Sequence, residues 1–254
     1  MKQLIHYSFR VWQRNLDVLL MVWKAELAGA MVEPIVVLLV MGYGLGALVG
    51  NVQGVKYIQF IGPGIIAGYA MYGATFECTY GSFTRMQIQK TYDAIIATPV
   101  NIQDVIVGEI FWAATRSLIT SSSVLLATYL LGIISSPWAL LIIPVSFLAG
   151  LMFASIALLY TSFSPSYYSF NFFFTLFITP MYFFSGIYFP LTNFPPIVQG
   201  LSWLAPLKPV ADLTRALANG QWHNELFISL TVIILITLTF FFLTIIFMKK
   251  RLIK

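Results

Sequence analysis

Long apolar runs separated by short polar intervals set the plan of this chain. Residues 27–49, 57–83, 108–131, 138–163, 168–189 and 226–248 are each continuously apolar, without the period-two alternation of a membrane barrel. At about 20 residues per crossing of a ~30 Å hydrocarbon layer, these runs predict six transmembrane helices. Ahead of the first, Lys2, His6, Arg10, Arg14 and Asp17 make one polar stripe at helical spacing. Leu4, Ile5, Phe9, Trp12, Leu16, Leu19 and Trp23 fill the remainder, so residues 1–24 predict an amphipathic helix lying in the membrane interface.

Two intervals break the rhythm. The first, residues 85–109, predicts a helix over 87–97 with Gln87, Lys90 and Asp93/Ala94 near one face and Ile88, Tyr92, Ile95 and Ile96 around the other. Thr98-Pro99 stops it, because proline lacks a donor and disfavours the helical conformation of the residue before it. Asn101, with Asp104 three residues later, offers an N-cap and an acidic first turn for the next helix. The result is a rigid knob, suited to being pushed from outside the chain. The second interval, 190–222, is apolar but broken by Pro190, Pro195, Pro196, Pro206 and Pro209. It predicts two short helices, 194–204 and 208–218 with Gly220 as a stop, forming a re-entrant hairpin before the sixth span. Such backbone is stable at membrane depth only against protein or a water-lined cavity.

Composition sharpens this plan. Over 254 residues, 59% hydrophobic and 9% charged side chains with a mean hydropathy of +0.86 exclude an ordinary soluble protein. The fold class is an all-α membrane protein in a single transmembrane domain, residues 1–254. Lys2, His6, Arg10 and Arg14 interrupt the first apolar residues, so no cleavable signal peptide is expected. The lone Cys78 offers neither a disulfide nor a redox pair and reads as a packed thiol. The +5 net charge does not indicate nucleic acid, since the basic residues are distributed over the ends of spans. A cytoplasmic N-terminus puts Lys2, Arg10, Arg14, Lys24, Arg85, Lys90, Lys249, Lys250, Arg251 and Lys254 inside, against Lys56, Lys208 and Arg215 outside. The ten-to-three split predicts cytoplasmic termini, a cytoplasmic knob and an outer hairpin.

Candidate chemistry is sparse. There is no GxxxxGK[ST], so any nucleotide must be hydrolysed by a partner. His6 and His223 lie near the ends of apolar regions, and nothing has the spacing of a metal or Ser-His-Asp site. Glu33, Glu77 and Arg116 fall inside spans at one depth, roughly 9 to 12 Å from the cytoplasmic ends. They read either as an ion cluster tying the first three helices together or as part of a cytoplasmic gate. The fifth span is rich in aromatics, among them Phe174, Tyr182, Phe183 and Tyr188. These face lipid or line a passage in which their rings stack on sugars.

The residues also carry a resemblance. The runs ATFECTYGSFTRM from Ala74, QKTYDA from Gln89, Thr98-Pro99, DVIVGE from Asp104 and WAATR from Trp112 resemble the membrane subunit of ABC-2-type transporters, most of all the NodJ-type permeases. Ala154-Ser155, Pro165-Ser166-Tyr167, Thr179-Pro180-Met181, Ser185-Gly186 and Phe189-Pro190 agree, so the similarity spans nearly the whole chain. The resemblance implies a six-span permease of the bacterial inner membrane that works as a homodimer with two copies of a separate ABC ATPase. ATP and Mg would be bound by that partner, leaving this chain non-catalytic and without a cofactor. Residues 85–107 would be the coupling region, with Gln87, Lys90, Thr91, Tyr92, Asp93, Thr98 and Pro99 meeting the ATPase. The expected cargo is an amphipathic or lipid-linked glycan, such as a lipo-oligosaccharide or surface polysaccharide. A hydrophobic drug is the alternative, and a proton-driven secondary transporter is the alternative of another class.

Overall fold

The computed structural model of the chain describes residues 2–134 and 136–252, without the side chains of residues 2–5, 27, 28 and 30. Lys254, counted above among the cytoplasmic cations, lies outside the described residues. The first helix, α1 (Lys2–Leu39), continues through a π-helical turn (Val40–Leu45) into α2 (Gly46–Val49). The interfacial helix expected to end at residue 24 and the first span expected from residue 27 are therefore one unbroken helix. Ala25, Glu26, Leu27 and Ala28 are strong helix formers, so no signal for a break lies between them.

A tight hairpin follows, β1 (Asn51–Val52) pairing antiparallel with β2 (Val55–Lys56). Its central Gln53 and Gly54 both take positive φ, as a type I′ turn requires. Helix α3 (Tyr57–Phe76) then runs without a break into π-helical turns at Glu77–Gly81 and Thr84–Ile88. After the short α4 (Thr91–Ile96) comes α5 (Ile102–Leu130), the central helix, which packs against α1, α3 and α6 (Ile142–Phe163). The fifth expected span is α7 (Tyr168–Phe173), a π-helical turn (Phe174–Ile178) and α8 (Thr179–Phe184) laid end to end; it stops at Phe184 rather than at 189. The proline-broken interval folds as expected into two short helices, α9 (Pro196–Ser202) and α10 (Leu207–Asn219), with Gly220 as a left-handed cap. The terminal α11 (Glu225–Leu252) packs on α6 and α10.

Among the described residues, four helical stretches are long and apolar enough to cross a membrane, Met31–Val49, Ile102–Leu130, Pro137–Phe163 and Glu225–Leu252; the expected spans at 57–83 and 168–189 are not among them. Many of the contacts between helices are made through hydroxyl groups and small residues. Ser117 on α5 donates to the Ala70 carbonyl at 2.7 Å and to the Ser146 carbonyl at 3.1 Å, joining three helices. Thr161 donates to the Cys78 carbonyl at 2.9 Å, and Thr244 to that of Ser155 at 2.7 Å. Helix α10 is buried over most of its surface, and Thr214 reaches the Pro63 carbonyl at 3.0 Å. Its backbone is thus packed against protein, the condition that the proline-rich interval required. Gly64 and Gly68, one small-xxx-small pair, face Ile187 and Tyr182 within this chain.

At Gly150 of α6 an added Cβ would stand 2.7 Å from the Ser117 Cβ and 2.8 Å from the Ala114 Cα. Gly150→Ala should cost about 1–3 kcal/mol, because backbone rather than a mobile side chain blocks it. Gly44→Ala, with nothing within 4 Å, should stay within about 0.5 kcal/mol of wild type. Thermal unfolding in detergent checks the pair; equal effects would contradict this packing.

Candidate functional site

The knob takes a different form from the single helix expected over 87–97. Gln87 and Ile88 end the helix that began with α3, and Lys90 takes a left-handed φ of 55° that separates it from α4. Lysine gains nothing intrinsic from that conformation, so the break is imposed by packing on either side. The stop and restart are as expected. Thr98 Oγ1 donates to the Ile95 carbonyl at 2.6 Å, and Asp104 accepts the Asn101 N–H at 3.0 Å to open α5. Gln87, Lys90, Asp93, Thr98 and Pro99 are exposed and Thr91 is half-buried. Tyr92, expected among the contact residues, is only 1% exposed and joins the core instead. Burial pushes its phenol well above the ordinary range, so it remains neutral as the anchor of the knob.

Beneath the knob, its two flanking residues are bonded to each other. Arg85 reaches Glu109 at 2.5 Å, 24 positions away in the chain, and Glu77 at 2.8 Å. Glu109 also accepts hydrogen bonds from Asn15 at 3.1 Å and Ser82 at 2.9 Å, which satisfies a carboxylate only 1% exposed. The row continues upward. Glu77 lies 3.4 Å from Arg116, and Arg116 lies 2.6 Å from Glu26 on α1. Carboxylates and guanidiniums thus alternate in the order Glu109, Arg85, Glu77, Arg116, Glu26.

The expected pairing of Arg116 with Glu77 is present, and Glu33 is not part of it. Glu26 takes that place. It stands seven residues before Glu33, hence on the same face of α1 about 10 Å away. Glu26, Arg85, Glu109, Asn15 and Ser82 were not singled out as site residues in the sequence. Arg85 and Glu109 carried a signal, as the charged boundaries of the polar interval; Asn15 and Ser82 carried none.

The row of charges stands where two cavities meet. The larger, about 940 Å³, lies between α1, α3 and α5 and is lined by Glu33, Tyr69, Tyr72, Thr120, Tyr182 and Tyr188 among others. The smaller, about 320 Å³, reaches toward the knob past Arg14, Arg85 and Gln89. Glu26, Glu77 and Arg116 line both. Of the aromatics picked out in the fifth span, Tyr182 and Tyr188 therefore face the larger cavity. Phe174 does not; it stacks behind the wall on Phe76 at 4.5 Å. Phe183 is 49% exposed and packs on the outer side of Tyr188.

The comparisons agree with this architecture. The profile of the ABC-2 type transporter family matches residues 8–219. The chain belongs to the ABC-2 type transporter family. Nodulation protein J of Sinorhizobium fredii is 36% identical over 248 residues, covering 96% of this chain and 93% of that protein. Nodulation protein J of Rhizobium meliloti is 39% identical over 215 residues, covering 83% and 80% respectively. The inner membrane transport permease YadH of Escherichia coli is 23% identical over 198 residues, covering 78% and 77%. With its apolar helices, this ABC-2 chain is an integral membrane protein and a transport permease, as its motifs predicted.

Removing Arg85 should be costly because it leaves Glu109 buried beside neutral partners. Arg85→Met is expected to lose about 3–5 kcal/mol, and Arg85→Met combined with Glu109→Met to regain most of it. Unfolding of the two single variants and the double variant tests this; additive losses would contradict direct pairing.

Proposed function

We propose that this ABC-2 permease is the membrane subunit of an ATP-driven exporter that moves an amphipathic or lipid-linked glycan outward from the cytoplasm or inner leaflet. The observation that carries the reading is the exposed polar knob, clasped at its base by Arg85 and Glu109 and joined through Glu77 to the mouth of a cavity. A chain without a phosphate-binding loop needs an outside motor, and the knob is the surface on which that motor would push. Two copies of this chain would pair in the inner membrane with two ABC ATPases, which bind the ATP and Mg. The termini and the knob would be cytoplasmic, six helical segments would cross the bilayer, and the α9–α10 hairpin would cap the outer end. Membership of the family and the names of the relatives, a transport permease among them, support transport, and the amphiphilic glycan is the cargo that the NodJ-type resemblance implies.

ATP-driven closure of the motor would shift the knob. Because Arg85 links it to Glu77 and Glu109 together, α3 and α5 would move as one, and the cavity between them and α1 would change its opening. A proton-driven cycle is less well supported, since Glu77 and Glu109 are each held by a guanidinium. Export of a hydrophobic drug keeps one favourable observation, the tyrosine-walled cavity with its extra carboxylate.

The exposed and buried halves of the knob separate two outcomes. Lys90→Glu with Asp93→Lys should reduce transport about tenfold while leaving unfolding within about 0.5 kcal/mol of wild type. Tyr92→Ala should instead lose about 3–5 kcal/mol, as other buried aromatic truncations do. The checks are ATP hydrolysis and flux in vesicles with the co-purified ATPase. Full coupling in the Lys90/Asp93 variant would move the contact elsewhere.

A further inference from the structure

The charged row leaves one carboxylate of the large cavity outside its ion pairs. Arg116 is bound to Glu26 and Glu77, and Glu77 is held again by Arg85. Glu33 takes part in no ion pair among the described residues, although it lines the same cavity. Glu33 is exposed, two residues inside the apolar stretch that begins at Met31, so its charge is open to a ligand in the cavity. A ligand that brought a positive charge to this point would pair with it.

The wall around Glu33 has the matching chemistry. The Tyr69 hydroxyl stands within hydrogen-bonding reach of its carboxylate, and Tyr72 lies within electrostatic reach. Tyr72 meets Tyr182 edge to face at 5.2 Å, and Tyr182 meets Tyr188 in the same way at 5.5 Å. The Tyr188 hydroxyl donates to that of Tyr182 at 3.2 Å, which fixes the two rings against each other. Tyrosine faces attract cations through the ring quadrupole, and a group of them around an ammonium is a recurring recognition device. An anion entering the same space would meet Glu26, Glu33 and Glu77 against the single guanidinium of Arg116.

We propose that this cavity binds the ammonium group of an amphipathic molecule, with Glu33 as its counter-charge and Tyr69, Tyr72, Tyr182 and Tyr188 as its aromatic wall. The proposal rests on reading the cavity as the transport site, and it narrows the cargo to one that carries a protonated amine or a quaternary ammonium. Two sources share that chemistry: an amino sugar of a glycan, and a cationic lipid or drug. In either case Glu33 determines specificity, since it distinguishes ligands by charge and supports no other part of the fold through an ion pair.

The test uses the permease alone in lipid nanodiscs, so that it does not depend on the ATPase. Binding of hexyltrimethylammonium, hexyl glucosaminide with its free amine, hexyl glucoside and hexyl sulfate is measured by calorimetry, with empty discs subtracted. At least one ammonium compound should bind about tenfold more tightly than the glucoside and the sulfate. Glu33→Gln should reduce that preference to about threefold or less, Tyr72→Leu should weaken it, and Glu33→Asp should retain it. Preference for the glucosaminide identifies an amino sugar as the source, and preference for hexyltrimethylammonium a cationic lipid or drug. The inference is overturned if neither ammonium compound binds, if the sulfate or glucoside binds as tightly, or if Glu33→Gln keeps the preference while remaining folded. Failure to find a co-purifying ATPase would count against ATP-driven export alone.

Discussion

Arg85, held between Glu77 and Glu109, is the constraint on which the rest of this membrane protein depends. Its side chain is only 13% exposed, and one of its carboxylate partners is almost fully enclosed. Charges taken out of water remain stable only when paired and when their spare lone pairs are satisfied, as Asn15 and Ser82 do for Glu109. The pairing closes a 24-residue loop at its base, so the knob projects from a fixed platform rather than from two independent helix ends. Tyr92, buried over the same platform, holds the knob from the other side. The exposed residues between them form a polar surface anchored to α3 and α5.

The same constraint ties the knob to the cavity. Glu77 begins a π-helical turn, where one residue too many for a regular turn is accommodated, and such turns occur often at functional positions. Here the turn brings Glu77 between Arg85 below and Arg116 above. Gly81 leaves the space for that carboxylate, because a Cβ there would stand 2.8 Å from Glu77 Oε1. Around this charged row, the helices are joined by hydroxyl-to-carbonyl bonds from Ser117, Thr161, Thr214 and Thr244. Within an apolar solvent such bonds, with close packing at small residues, replace the hydrophobic driving force.

Much of this was legible in the residues because the relevant signals are local. Apolar run length marked four of the six expected spans as helices able to cross a membrane, Thr98-Pro99 and Asn101 with Asp104 gave the stop and restart around the knob, and the prolines with Gly220 gave the two short helices α9 and α10. The misses arise where tertiary packing decides. Nothing at Lys90 announces a left-handed residue, so one helix was expected where there are two pieces. The polar stripe of α1 suggested a boundary near residue 24, but amphipathicity changes there without any helix breaker, and the helix continues. Glu33 and Glu26 share a helical face, and only the crossing of α1 over α5 determines which of them meets Arg116. Tyr92 lies on the apolar side of its predicted helix, a local sign of the burial that the structure shows and that a contact role for it does not fit. Glu109 ended the polar interval, yet its bond to Arg85 required both helix ends to converge in space.

Transmission of motion from the knob to the cavity through the charged row would run through Glu77, the one link between Arg85 and Arg116 among the described residues. Spin labels at Val32 on α1 and Phe183 on α8, both exposed, report the width across the cavity by electron–electron double resonance. With the ATPase bound, the distance distribution should shift between nucleotide-free and ATP-trapped states in the wild-type background. Glu77→Gln, which removes the charge shared by the two guanidiniums, should keep the protein folded and abolish that shift. An undiminished shift in folded Glu77→Gln would contradict transmission through the row of charges.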